Sequence, residues 1–444
     1  MHIMNCQALP NILIFLMFMP ACRASIKNSS PVSVTQAPSA FLAAELCPVD
    51  CPLGVGDPSK KGCNNQTIPE SFHVVTPDST LKLSPEHERN FDILNHPCKN
   101  SNPSPLSLEQ QEAKLVKVIV IDTDSKVYKG TATFIRIFIE ELQRKKSWHI
   151  INSSDLVGPN FLENIQNKIG TATPPDVVAF YVLRANILDK WSDLPTLPVF
   201  KVLIVEDLNW ADDIEPLKRS YPWMDVLFAR YPEHMMKFVD ASKINSCYVF
   251  PHAASQPFFD SQATSKTHKV LLLGKESDDD WYPLRKVARE EIKVKKSPLW
   301  KEHIHKGYNT EVNALEEAAD FAQWIVNYDI AVGGGPYPDK TFGPYVIAKH
   351  FEIPATGTVL LADKLYVPFL RQLGMIENVH YIASTPKNLN KTVDYWLSPK
   401  RRKDLAIIRE QGHRLAQKCH NITHRIELFD KTVTQEYYSR KNQK

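Results

Sequence analysis

Tyr345–Asp363 reads YVIAKHFEIPATGTVLLAD, and the fold turns on how this stretch is read. Thr358–Ala362 is an uninterrupted apolar run of strand length, and the residues before it have the make-up of a short helix. Proline suits the first turn of a helix and breaks later ones, so Pro354 predicts a helical turn that opens close to Glu352. Gly357 is the natural stop, because glycine accepts the left-handed conformation that ends helices. A short helix feeding a buried strand belongs to a parallel sheet, whose ligands sit in the crevice at the strand ends. A carboxylate at the start of such a helix can accept two hydrogen bonds from a ribose diol. An ordinary helix–strand turn with an exposed glutamate has the same sequence.

The rest of the chain repeats the alternation. Upstream, strands are predicted at Leu115–Ile121, Trp148–Asn152, Asp176–Val182, Val199–Val205, Met224–Arg230 and Ser246–Phe250. Helices are predicted between them near Thr131–Arg144, Asn160–Ile169, Ile214–Arg219 and Glu233–Val239. Strands alternating with helices mean a parallel sheet covered on both faces. After a linker near Gln256–Thr267 the pattern restarts with Lys269–Leu273 (KVLLL). Helices Tyr282–Ile292 and Val312–Val326 follow, then strand Asp329–Val332, the Glu352 stretch, strand Tyr381–Ala383 and a helical tail from Pro399. Two Rossmann-like units result, at 113–255 and 268–444, and the cleft between them is the default ligand site.

The chain has 444 residues, 43% of them apolar and 10% aromatic, enough for a substantial core, and a net charge of only +3 gives no case for nucleic acid. Asn11–Met19 (NILIFLMFM) is a short apolar core, and Cys22-Arg23-Ala24 places small residues before a cut, which reads as a signal peptide over 1–24. The run falls short of the roughly 20 residues that span a bilayer. A membrane is therefore a partner only if this segment is retained as an anchor. N-x-Ser/Thr sequons at Asn28, Asn65, Asn152, Asn390 and Asn421 agree with entry into the secretory pathway or export. Residues 25–112, rich in Pro and Ser, read as a stalk, with Cys47, Cys51, Cys63 and Cys98 forming two disulfides in an oxidising compartment. A zinc site competes for the same four cysteines.

Neither first strand is followed by G-x-G-x-x-G, which disfavours nicotinamide and flavin chemistry, and there is no P-loop or G-x-S-x-G elbow. The pieces present occur in a recognisable order: Leu273-Gly274-Lys275, Tyr282-Pro283-Leu284-Arg285, His305-Lys306-Gly307-Tyr308, Tyr328–Gly333, the Glu352…Gly357 segment, and Gly412-His413-Arg414 through His420 to Arg425. This set resembles the spore-protein glycosyltransferase-like (CgeB-type) family of two-domain GT-B glycosyltransferases. The likeness covers about Lys269–Leu428 and extends to the first unit only through its architecture.

The resemblance implies an α/β, GT-B-like fold in which two Rossmann-like parallel-sheet domains face a cleft, here preceded by the disulfide-pinned stalk. It also implies a nucleotide-sugar donor on the second domain and a glycan, protein or small-molecule acceptor on the first, with no metal or other cofactor. Lys275 and Arg285 are placed to meet a diphosphate, which needs cations and backbone amides. A solvated lysine and a structural arginine are the plainer readings. Gly333, Gly334 and Gly335 let backbone approach a ligand, or form a plain loop. Glu352 takes the position that holds the donor ribose in the larger superfamily, with Gly357 behind it. Wider relatives carry a second glutamate about eight residues earlier, where this chain has Gly343-Pro344-Tyr345. His252, in the Phe250-Pro251-His252-Ala253 turn, is a candidate base or phosphate ligand, or a satisfied structural histidine. Glu206-Asp207 ends a strand on the acceptor side, where Asp207 equally suits a helix N-cap. In this architecture the last helices cross back onto the first domain, which suggests a Cys247–Cys419 disulfide.

Overall fold

In a computed structural model of the protein, the residues described are 115–121, 133–158, 160–182, 185–206, 211–231, 240, 243, 245–263, 266–274, 282–303, 314–335 and 346–442. The predicted signal peptide, the stalk and its four cysteines, the Glu233–Val239 helix, and Asp207, Lys275, His305–Tyr308 and Gly343–Tyr345 lie outside them.

The first domain is a six-stranded, all-parallel sheet. Its elements are β1 (Lys117–Ile121), α1 (Thr133–Arg144), β2 (Trp148–Asn152), α2 (Phe161–Ile169), β3 (Val177–Val182), β4 (Phe200–Val205), α3 (Ala211–Ser220), β5 (Val226–Ala229) and β6 (Cys247–Val249). The strand order is β2-β1-β3-β4-β5-β6. All five residues of β1 and all six of β4 are buried, as expected for strands covered on both faces.

A short helix, α4 (Gln256–Asp260), occupies the segment read from sequence as a linker and buries Phe258. The second sheet is also wholly parallel, in the order β11-β10-β9-β7-β8. Along the chain it runs β7 (Thr267–Leu273), α5 (Pro283–Lys295), β8 (Trp300–His303), α6 (Ala314–Val326), β9 (Tyr328–Val332), α7 (Lys349–Ala355), β10 (Val359–Asp363), α8 (Val367–Gln372), β11 (Ile382–Ser384) and α9 (Leu389–Leu397). Strand β8 escapes prediction because WKEH has only Trp300 to bury and sits at the sheet edge, bonded to β7 alone.

The decisive stretch folds with one correction. Helix α7 opens at Lys349, three residues before Glu352, so Pro354 lies in its interior. The ring costs one backbone bond, and the helix ends at Ala355. Gly357 then adopts φ +66°. Its amide bonds the Pro354 carbonyl at 2.9 Å, and the Thr358 amide reaches that of Ile353 at 3.4 Å, the paired contacts of a Schellman cap.

Helices α10 (Arg402–Cys419) and α11 (Ile422–Lys441) close the chain, and α11 lies against the first domain. Asp430 accepts from Lys117 Nζ and from the Trp148 indole, both at 2.6 Å. Tyr437 donates to Asp176 at 2.7 Å, Arg440 to Asp225 at 2.7 Å, and Ser246 to Glu436 at 3.1 Å. One hydrophobic cluster accordingly runs from Ile119, Phe138 and Phe250 through Phe429 and Val433 to Leu271, Phe351 and Leu360.

The Cys247–Cys419 disulfide does not form. Cys247 packs among the side chains on the opposite face of the first sheet, with Leu227 and Tyr221, whereas Cys419 joins the cluster shared by the two domains. Chain crossing brings the elements together, but the strand pleat sends the Cys247 thiol away.

Candidate functional site

A sheet with the order β11-β10-β9-β7-β8 reverses direction between β7 and β9, and a crevice opens there at the carboxyl ends of the strands. Arg285, in the first turn of α5, fills that point. Its side chain is buried, and its Cζ lies 3.5 Å from the centre of the Tyr282 ring. Nη2 is 3.5 Å from the Gly334 carbonyl oxygen. Two glycines make room for it. Gly274, at the end of β7, has φ +132°, and a Cβ there would lie 2.4 Å from Arg285 Nη1. Gly334, just beyond β9, has φ +33°, and its Cβ would meet Arg285 Cγ at 3.1 Å. A Cβ on Gly335 would fall 2.1 Å from Cζ of the Tyr366 ring, and one on Gly333 2.4 Å from Leu360. The glycine run is thus a packed floor to the crevice.

Helix α7 ends where β10 begins, so its first residues point towards the carboxyl ends of the strands. Glu352 lies in its middle, partly exposed. Loss of solvent around the carboxylate pushes its pKa up to about 7, against the opposing pull of Lys349. Gly357 is placed differently from its assignment as a ligand contact. It sits at the amino end of β10, away from the crevice, and its carbonyl accepts from Lys266 at 2.9 Å. Its role is the helix cap.

His350, unremarked in the sequence, is fully buried two residues nearer the amino end of α7, its ring 5.2 Å from that of Tyr366. Burial lowers its pKa to about 3 against an opposing backbone hydrogen bond with Ile347, and the charges of Arg285 and Lys349 add to the lowering, so the imidazole is neutral.

Across from it stands the rim of the first domain. His252 follows β6, is buried, and has Nε2 2.7 Å from the Tyr231 hydroxyl. Its pKa lies well below the usual histidine range because of burial, with the charges of Arg230 and Arg425 adding to the effect.

Glu206 does not line an open acceptor pocket. Its carboxylate accepts from Arg230 Nε at 2.7 Å and from the Tyr181 hydroxyl. Arg230 also donates to Tyr181 at 2.6 Å and to the carbonyls of Phe250 and Pro251 at 3.1 and 3.0 Å. This buried knot ties together the carboxyl ends of β3, β4, β5 and β6. Arg230 escaped the sequence reading because a strand-end arginine has no local signature until its partners are known. The tail motif is structural too: His413 Nδ1 donates to the Ala355 carbonyl at 2.8 Å, holding the end of α7. Among the described residues no group of three or more His, Cys, Asp or Glu side chains could hold a metal ion, and no helix is long and apolar enough to cross a membrane.

No protein-family model matches the chain, and no curated protein does. Solved structures do. Sucrose-phosphate synthase from Thermosynechococcus elongatus superposes with a TM-score of 0.50 at 11% identity, covering 73% of this chain and all (100%) of that one. The fold is GT-B. HepE from Anabaena, solved in complex with UDP, matches equally well, at a TM-score of 0.50 and 10% identity over 72% of this chain and 100% of its own. At these identities the likeness establishes two Rossmann-like domains and nothing about particular residues.

Proposed function

We propose that this protein is a glycosyltransferase that moves a sugar from a nucleotide-sugar donor held by the second domain to an acceptor held by the first. The observation that carries the reading is the buried Arg285 guanidinium, seated between Gly274 and Gly334 at the strand-order reversal. A fixed cation at that point suits a diphosphate. Glu352 serves the ribose diol when ionised. The transfer needs a stabilised diphosphate leaving group more than an enzyme nucleophile, so Arg285 carries the chemistry, Gly333 and Gly334 admit the phosphates, and His252 serves as the base on the acceptor side. No metal ion is assigned a part. The UDP complex of HepE supports a uridine nucleotide as the first donor to try. The apolar Asn11–Met19 segment and the sequons support action in the secretory pathway or outside the cell.

A thermal-shift screen against UDP-, GDP- and ADP-sugars tests this, because a ligand that binds only the native state raises Tm by mass action. One nucleotide class should stabilise the wild type, and Arg285→Ala and Glu352→Ala should each abolish the shift. A folded protein that responds to none of them is not a nucleotide-sugar enzyme. Stabilisation without product in the presence of any acceptor would make it a sugar-nucleotide-binding protein that has lost turnover. The Gly343-Pro344-Tyr345 sequence, where relatives carry a second glutamate, gives that outcome its basis.

A further inference from the structure

His350 is fully buried, yet among the described residues Nε2 has no hydrogen-bond partner. Buried polar atoms are nearly always paired, so an exception at a ligand site points to a group that arrives with the ligand. The other ring nitrogen is engaged: the Ile347 amide lies 3.1 Å from Nδ1 and the Ile347 carbonyl oxygen 3.2 Å from the same atom. An anion at Nε2 selects the tautomer that carries the proton there, and the amide then remains the partner of Nδ1. The ring packs 5.2 Å from that of Tyr366, which in turn closes over Gly335 at the floor of the crevice.

We infer that the Nε2–H of His350 donates a hydrogen bond to a phosphate oxygen of a bound nucleoside diphosphate, beside Arg285. This rests on the donor reading above and adds a residue to it. A neutral imidazole contributes direction without charge, fixing where the diphosphate lies against the Arg285 cation. A hydrogen bond to a charged group is worth about 1.5–3 kcal/mol, or roughly 10- to 150-fold in Kd.

The test exploits amide isosteres of the two ring nitrogens. His350→Gln carries an N–H at the Nε2 position, whereas His350→Asn keeps only a partner for Ile347. Calorimetric titration of the full chain with UDP, GDP, ADP and the matching nucleosides gives the readout. For the diphosphate that binds the wild type, His350→Asn should weaken binding at least tenfold, with nucleoside affinity unchanged. His350→Gln should stay within about threefold of wild type. If His350→Asn does not fold, His350→Phe, which keeps the ring and loses both nitrogens, takes its place with the same expectation. Equal losses in the Gln and Asn variants, or a parallel loss of nucleoside affinity, would make His350 a packing residue and overturn the inference. Unchanged diphosphate affinity in His350→Asn, with Glu352→Ala still defective, would overturn it and leave the donor reading standing. No binding of any of the three diphosphates to wild type would remove both.

Discussion

At the scale of single residues, Glu352 makes a prediction with a definite sign. Its pKa in the folded chain, about 7, lies above the ordinary 4.5. The folded state thus binds the proton more tightly than the unfolded one, so this group's contribution to stability is complete below about pH 4.5 and is lost as the pH rises to about 7. Ligand binding runs the other way, since only the carboxylate can accept both hydrogens of a diol. Nucleotide affinity should tighten between pH 6 and 8, and Glu352→Gln should flatten that profile; a slope that survives the substitution would assign the titration to another group. Gly412 makes a second prediction. In an exposed helix, glycine to alanine gains about 1 kcal/mol. Here the new Cβ would lie 2.4 Å from the backbone carbonyl oxygen of His380. Gly412→Ala should therefore destabilise by about 1–3 kcal/mol, read as a lower urea midpoint.

Between elements, the Arg230–Glu206 knot decides how the first domain presents its rim. Both side chains are 2% exposed, so breaking the pair strands a charge without solvent. Removal of one partner from such a pair costs about 3–5 kcal/mol. Arg230→Met and Glu206→Gln should each lose that much in chemical denaturation. The double substitution should lose clearly less than the sum, because no charge is then left buried. Additive losses would mean that the two residues act separately. The bond of Arg230 to the Phe250 and Pro251 carbonyls also sets the turn that carries His252.

At the scale of the whole molecule, the two sheets share one hydrophobic cluster through α1, α6, α7, α10 and α11. Phe429 on α11 packs on Phe138, Trp148, Phe228 and Phe250 of the first domain, with ring centres 5.0–5.8 Å apart. Such a helix cannot leave without exposing both domains. Calorimetry should give a single unfolding transition for the two domains, and a chain ending at Asn421 should fail to show it. Two resolved transitions in the intact chain would overturn this account of the interface.

Much of this architecture was legible in local patterns. Uninterrupted apolar runs such as KVIVI and KVLLL mark strands buried on both faces, and their alternation with helical periods demands parallel sheets and a restart. Gly357 was readable as a helix stop because a positive φ is a property of one residue. Pro354 misled by three residues, since tertiary packing of His350, Phe351 and Ile353 begins the helix earlier than propensity alone allows. What the sequence could not contain was pairing over distance. The approach of Arg285 to Gly274 and Gly334 and the knot of Arg230 with Glu206 and Tyr181 join residues from 11 to 49 positions apart. Periodicity reports which way a side chain faces, one element at a time. Which side chain it meets there depends on strand order, and strand order is decided only when the sheet assembles.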